Sequence, residues 1–352
     1  MAVQPQVIHL RTSPHFHRAV SVETIMLNVV YAMLPVCAWS FFQFGISALA
    51  LILTTTAACA LTEHLICVFN GKESTVPNYS SVITGMLLGL TLPPGFPLWM
   101  AALGGFVGIV LGKAVFGGIG FNCFNPALVG RAFLQASFTV AITTWTPAGA
   151  PGRFTQFIPS TLTFPFTTPP SVNAWVDGLA VDGWSGATPL AAFKFGGETT
   201  PLLDAILGTT GGSLGETSSL IILVCGLYLA WKKFLDWRLP ASMLGVAFIT
   251  SGIFWVMDMD KYPSPFLMLF TGGLMLGAWF MASDMVASPV TPLGVWVYGG
   301  LMGFLTILIR LKGGLPEGVM YAILLGNAVS PIIDNLTQPR IYGAIKKAKV
   351  AK

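Results

Sequence analysis

The chain has 352 residues, of which 54% are hydrophobic and 9% charged, with a formal net charge of +4 and a mean hydropathy of +0.75. A soluble domain carries roughly 25% charged residues, so the composition excludes a soluble enzyme and points to a polytopic membrane protein. The basic residues form no extended stripe and fall at helix ends beside anionic headgroups, so a lipid surface and no nucleic acid is the partner they imply.

The first residues, "MAVQPQVIHLRTSPHFHR", lack an apolar core followed by a small-residue cleavage site, which is unlike a secretory signal. Residues 1–21 read as a cytoplasmic segment, and the first spanning helix directs insertion. Apolar runs then recur near 22–44, 46–69, 79–92, 97–116 and 125–143, and again near 218–235, 240–257, 265–282, 293–311 and 316–335. A span needs about 20 apolar residues, so 79–92, which runs into Pro93-Pro94, and 240–257 are short. With 39 glycines and 24 prolines, some of these helices are expected to be broken, as neighbours in a membrane protein re-satisfy freed backbone groups.

The expected division is a first set of five helices over 22–143, a long polar loop over 144–217, a second set over 218–335 and a basic tail over 336–352. With the N-terminus inside, Arg11, Arg18, Lys72, Lys113, Lys232, Lys233, Arg238, Arg340, Lys346, Lys347, Lys349 and Lys352 fall on the cytoplasmic side. Arg153, Lys194, Lys261, Arg310 and Lys312 fall outside. That bias follows the positive-inside rule, places both termini in the cytoplasm and turns the loop outward.

The two sets also resemble each other. "FPLWMAALGGFVGIVLGKAVFGG" from Phe96 matches "TPLGVWVYGGLMGFLTILIRLKGG" from Thr291, with Gly104, Gly105 and Gly108 recurring as Gly299, Gly300 and Gly303 at one offset. "TGMLLG" from Thr84 echoes "TGGLMLG" from Thr271, and "NCFNPALVG" from Asn122 is loosely answered by "GNAVSPIID" from Gly326. An odd number of helices per copy makes the copies inverted, the arrangement in which broken helices meet near the bilayer midplane.

Candidate functional residues are few. Cys37, Cys59, Cys67, Cys123 and Cys225 lie in or beside apolar runs without a C-x-x-C or Cys/His cluster, so they read as small core thiols and no metal site is expected from this chain alone. Cys123, beside Asn122 and Asn125, could supply one ligand to a shared site. Glu63, next to His64, sits within the second apolar run; it is either an ion-path residue or a side chain snorkelling toward Asn70. Lys113, Asp284, Asn125, Asn327 and Asp334 lie at helix ends or broken segments, where each is a cap, a surface charge or part of an ion or flavin site. In the loop, "VDGWSGATPLAAFK" carries Thr188 before Pro189, which biases the threonine toward an extended conformation. The same run also reads as a turn capped by Ser185 or Asp182.

"DGWSGATPLAAFK", "GGIGFNCFNPA", "LLGNAVSPIID" and the tail "PRIYG", in that order, closely resemble the membrane-embedded D component of the Rnf electron-transport complex, a relative of the B component of the sodium-pumping NADH:quinone oxidoreductase. The resemblance runs from "SPHFHR" to Gly343, and the short N-terminal region favours the Rnf branch. It implies an all-α protein of about ten transmembrane helices in two inverted five-helix halves, reminiscent of urea and ammonium channels. It implies FMN joined to Thr188 by a phosphoester bond, with Asp182, Ser185, Gly186 and Ala187 around the acceptor. A flavin transferase makes that bond, so the threonine needs an accessible hydroxyl on a flexible outer loop and no base of its own. A second, non-covalent flavin such as riboflavin is implied nearer the cytoplasm. The implied function is electron transfer between ferredoxin and NAD coupled to ion translocation across the inner membrane, with no catalytic residue in this chain. The implied partners are the A, B, C, E and G components of the Rnf complex, above all the flavin-bearing G component. Alternatives are a passive urea- or ammonium-type channel and the quinone-reductase branch.

Overall fold

The computed structural model describes residues 21–178, 186–216, 218–259 and 261–339. Among the described residues every regular element is helical. The expected N-terminal segment and most of the basic tail lie outside them.

Five helices are long and apolar enough to cross a membrane: α1 (Val22–Phe44), α2 (Ile46–Phe69), α7 (Arg238–Met257), α9 (Pro292–Lys312) and α10 (Val319–Thr337). At 1.5 Å per residue they reach about 29–36 Å, the thickness of the hydrocarbon core. Helix α1 starts where Ser21 accepts a hydrogen bond from the Thr24 N–H, with Glu23 in the first turn, so both an orphan donor and the positive end of the dipole are met. Its end is set by Gly45 at φ +70°, where an added Cβ would lie 1.9 Å from the Arg153 carbonyl oxygen.

The other five expected spans are shorter than their apolar runs. Helix α3 (Ser80–Leu90) has 11 residues, about 16 Å or half a bilayer, because Pro93 and Pro94 cannot continue it. Helix α4 (Leu98–Ile109) passes into a π turn, Val110–Ala114. Helix α5 (Pro126–Ser137) breaks at Phe138 (φ −129°, ψ 54°), and α6 stops at Trp231 (Ser219–Trp231). The expected span 265–282 is interrupted: α8 (Pro265–Phe270) is followed by extended Thr271 and by Gly272 at φ +68°, then by a short turn, Leu274–Leu276, and a π turn, Gly277–Met281. The run expected to be short over 240–257 is instead a full 20-residue helix from Arg238, since Pro240 falls in the first turn, where its missing N–H would have no partner anyway.

Helix α4 lies between α2 and α5, and α9 lies between α7 and α10, while α1 and α6 pack across the two sets. Close approach depends on missing side chains: a Cβ on Gly303 would sit 2.2 Å from the Met243 carbonyl of α7, and one on Gly130 of α5 would sit 2.6 Å from the Gly104 carbonyl of α4. The sequence-matched glycines do not serve matched contacts. Gly104 and Gly108 face α5, Gly105 faces α2, whereas Gly299 and Gly303 both face α7.

The long loop is not a free polar tether. It folds over the Thr91 end of α3, where the Leu214 N–H donates to the Leu92 carbonyl (3.1 Å) and Ser160 Oγ to the Gly95 carbonyl (2.6 Å). Ser40 Oγ donates to the Leu214 carbonyl, and the Ile158 N–H donates to Ser47 Oγ (3.0 Å). These bonds satisfy the unwound stretch after α3, which is sealed by Leu92 and Phe96, both fully buried, and so can lie inside the protein without water.

Candidate functional site

Three places carry the chemistry. The first is Thr188. Its backbone is extended (φ −73°, ψ 158°), as the following proline requires, and it caps the eight-residue helical stretch Pro189–Gly196 by accepting from the Ala191 N–H (3.3 Å). Gly186 precedes it at φ +70°. The expectation of an openly presented hydroxyl is not what the structure shows: Thr188 is 3% exposed. Ser185 and Asp182 lie outside the described residues; the cap is Thr188 itself. Lys194 pins this stretch to the C-terminal end of α9. Its Nζ donates to the carbonyls of Arg310 (2.8 Å), Gly313 (2.5 Å) and Leu315 (3.1 Å), satisfying acceptors that a helix end leaves orphaned and meeting the negative end of its dipole. Burial lowers the Lys194 pKa.

The second lies at the opposite end of α3, around Ser80. Glu63 is 4% exposed and Lys113 3%, and Lys113 Nζ donates to both Glu63 carboxylate oxygens (2.8 Å each) and to Ser80 Oγ (2.8 Å). Thr75 Oγ1 also donates to Glu63. Glu63 is therefore a buried, paired carboxylate and not a snorkelling one, while His64 turns away to Ser74 Oγ (3.1 Å). Lys113 and Ser80 open onto a cavity of about 110 Å³ whose other polar lining residues are Thr84, Asn122, Asn125, Ser283 and Asp284, with Trp279 and Phe280 among the apolar ones. Asn122 Nδ2 donates to Asp284 (3.2 Å), and Asn125 Nδ2 donates to the Met281 carbonyl (3.1 Å) while its oxygen caps α5 at the Ala127 N–H (3.0 Å). The Asn327 amide is satisfied when its oxygen accepts from the Asn125 N–H (3.1 Å) and its nitrogen donates to Tyr298 Oη (2.5 Å) and the Ile323 carbonyl (3.3 Å). Five of the sequence candidates thus meet here, Glu63, Lys113, Asn125, Asp284 and, one layer behind, Asn327. Asp334 does not: it accepts from the Val290 and Thr291 N–H groups and caps the start of α9. Cys123 is exposed.

The third place was not legible as a site in the sequence. Arg131 Nη2 donates to Glu317 Oε2 (2.8 Å), and both line a small cavity with Glu216 and Ser213 at the Thr91 end of α3. Nearby, Arg310 is 2% exposed and donates to the Met268 (2.6 Å) and Thr271 (3.1 Å) carbonyls. Arg310 and Lys113, both counted in the basic-residue bias, are thus buried charges; removing one from each side leaves the bias standing. Arginines inside apolar runs were the available signal.

A sequence profile of the NQR2, RnfD, RnfE family matches residues 9–343. The chain belongs to that family. Its relatives within the NQR2, RnfD, RnfE family include the D component of the proton-translocating ferredoxin:NAD(+) oxidoreductase complex of Clostridium ljungdahlii, 38% identical over 97% of this chain and 98% of the relative. The D component of the Na(+)-translocating ferredoxin:NAD(+) oxidoreductase complex of Acetobacterium woodii is 39% identical over 97% of both chains. The D component of the ion-translocating oxidoreductase complex of Actinobacillus succinogenes is 36% identical over 95% of this chain and 97% of its own.

Proposed function

We propose that this chain is the membrane-embedded D component of an ion-translocating ferredoxin:NAD oxidoreductase, carrying electrons through FMN esterified to Thr188. The observation that carries the flavin reading is the placement of Thr188 as the N-cap of a helical stretch held by Lys194. A phosphate on Oγ would meet the Ala191 N–H and the positive end of that stretch, where negative charge is favoured. The burial of Thr188 fits the group only if the covering side chains part during attachment. Once bound, FMN supplies one-electron chemistry; the protein supplies a fixed tether point.

On this reading the two sets of helices are inverted five-helix halves, ten spans in all, and α3, α6 and the α8 break are the half-length and discontinuous members expected at such an interface. The loop faces outward in the inner membrane, both termini face the cytoplasm, and the A, B, C, E and G components are the partners, with the flavin of the G component the electron donor. The cavity around Lys113, Asn122, Asn125 and Asp284 offers one aromatic wall and one edge of amides and charges. That mixture suits a heteroaromatic ring with a polar rim, and we assign the non-covalent riboflavin to it; at about 110 Å³ the cavity must widen to admit the ring, since small-molecule sites run to roughly 300 Å³ or more.

The purified protein, run on a denaturing gel under ultraviolet light, should fluoresce at its own mass. Thr188→Val, near-isosteric without the hydroxyl, should abolish the band while the protein still inserts. Retained fluorescence would move the attachment elsewhere, with Thr199 and Thr200 next to be tested.

A further inference from the structure

At the Thr91 end of α3, a cavity of about 20 Å³ is lined by Ser213, Glu216, Arg131 and Glu317. That is room for about one water or one bare ion. Four polar atoms around it have no hydrogen-bond partner and are sealed from solvent: Glu216 Oε1, Glu317 Oε1, Ser213 Oγ and Arg131 Nε. Ser213 is 1% exposed, so its orphaned hydroxyl is an observation separate from the acidic pair. Native proteins rarely leave such atoms unpartnered, and a cluster of them marks an unfilled ligand position.

The charges are not balanced by contact. Glu317 is paired with Arg131 (2.8 Å). Glu216 has only the Ser213 N–H on its other oxygen (3.3 Å), and among the described residues no Lys, Arg or His nitrogen lies within ion-pair distance of it. Arg310, the remaining buried cation nearby, directs its terminal nitrogens at backbone carbonyls. A buried carboxylate without a partner is held only by taking a proton or coordinating a cation. An internal water would satisfy the orphaned atoms but leave Glu216 facing Arg131 and Arg310 at long range without an ion-pair contact. Three oxygens of hard-ligand type, Glu216 Oε1, Glu317 Oε1 and Ser213 Oγ, share a space of ionic size, the donor set that oxygen-seeking cations use.

We propose that Glu216, Glu317 and Ser213 form a site for one exchangeable monovalent cation, a sodium ion, on the loop side of the molecule. This rests on the reading of the chain as part of an ion-translocating complex and adds the residues that hold the ion. The ion enters as the Glu216 carboxyl releases its proton, so charge is conserved and about one proton leaves per ion bound. Burial and the facing Glu317 charge push the Glu216 pKa up from 4.5 to about 8, with Arg131 and the nearby Ser213 hydroxyl and N–H pulling the other way; Glu317, Arg131 and Arg310 are the charged groups that face it.

The test uses the purified complex containing this chain, reconstituted in lipid vesicles with sodium chloride or choline chloride. Infrared difference spectra on adding sodium near pH 8 should show a protonated-carboxyl band disappearing, and Glu216→Gln should lack that band. A Glu216 band that follows pH but not sodium overturns the sodium site. Ion uptake per electron should fall at least about tenfold in Glu216→Gln, and Ser213→Ala should raise the half-saturating sodium concentration about tenfold, the scale of one lost ligand. Wild-type uptake in both variants overturns the proposal and leaves a water-filled polar pocket. Absence of any sodium- or pH-responsive carboxyl band in the wild-type complex overturns it too, whether or not Glu216→Gln assembles. Gel fluorescence of the same samples separates the two readings: loss of covalent flavin with the carboxyl band intact refutes the flavin assignment alone.

Discussion

The Glu63–Lys113 pair offers a quantitative check on the buried end of α4. Glu63→Gln leaves the Lys113 ammonium, 3% exposed, with only Ser80 Oγ and an amide oxygen, and Lys113→Met leaves the carboxylate with Thr75 alone. Breaking a buried pair by removing one member costs about 3–5 kcal/mol, whereas replacing both members is close to neutral. At about 2.1 cal/mol/K per residue, 352 residues unfold with an entropy near 0.74 kcal/mol/K, so each single variant should lower Tm by roughly 4–7 °C. The double variant Glu63→Gln/Lys113→Met should recover most of that loss. Thermal unfolding of the detergent-solubilised chain can be followed by the gain in dye labelling above that of exposed Cys123 as Cys59, fully buried at 0% exposure, opens. The four melting curves form a double-mutant cycle, and the expected coupling is at least about 3 kcal/mol. Additive single effects, or singles costing under about 1 kcal/mol, would refute the reasoning and return Glu63 to a solvated side chain. If turnover falls in the double variant while Tm and flavin content stay near wild type, the pair also acts in ion transfer.

Gly303→Ala places a methyl 2.2 Å from the Met243 carbonyl and should destabilise the α7–α9 contact by about 1–3 kcal/mol, read as a lower Tm, whereas Gly245→Ala, with nothing within 4 Å, should not. Lys194→Met removes three hydrogen bonds to carbonyls, together on the order of 1–3 kcal/mol, and should speed proteolysis in the loop about tenfold without preventing insertion. A reporter fused after Lys352 should be active only in the cytoplasm, and one inserted near Gly208 only outside; the opposite at either site overturns the assigned sidedness.

Much of the architecture was readable because a bilayer imposes a single strong signal. Helices α1, α2, α7, α9 and α10 fall within a few residues of their apolar runs. The half-length elements were harder, since hydropathy reports what is apolar and not what is helical. Leu92 and Phe96 are buried in unwound chain and look in sequence like the rest of a span. At the sites, ionisable residues within apolar runs drew attention to Glu63 and Lys113, though not to their being each other's partner 50 residues apart. Glu216 and Glu317 gave no warning, because each stands in a polar stretch near a helix end, where charge is ordinary, and only folding brings both against Arg131. The burial of Thr188 was likewise hidden: a Ser-Gly-Ala-Thr-Pro run reads as exposed loop until the loop is seen folded onto the helix ends.

The Lys194 anchor gives the tether a fixed pivot. From Thr188 to Lys194 the chain is one continuous helical stretch, about 9 Å long at 1.5 Å per residue, and it is bolted at its far end to the last turn of α9. Whatever is joined to Thr188 rides on an arm of set length whose base belongs to a transmembrane helix. Its reach toward a neighbouring carrier is then governed by the torsions of the attached group, while any tilt of α9 moves the whole arm with it. With the proposed FMN attached to Thr188, a spanning helix and the flavin would be parts of one lever.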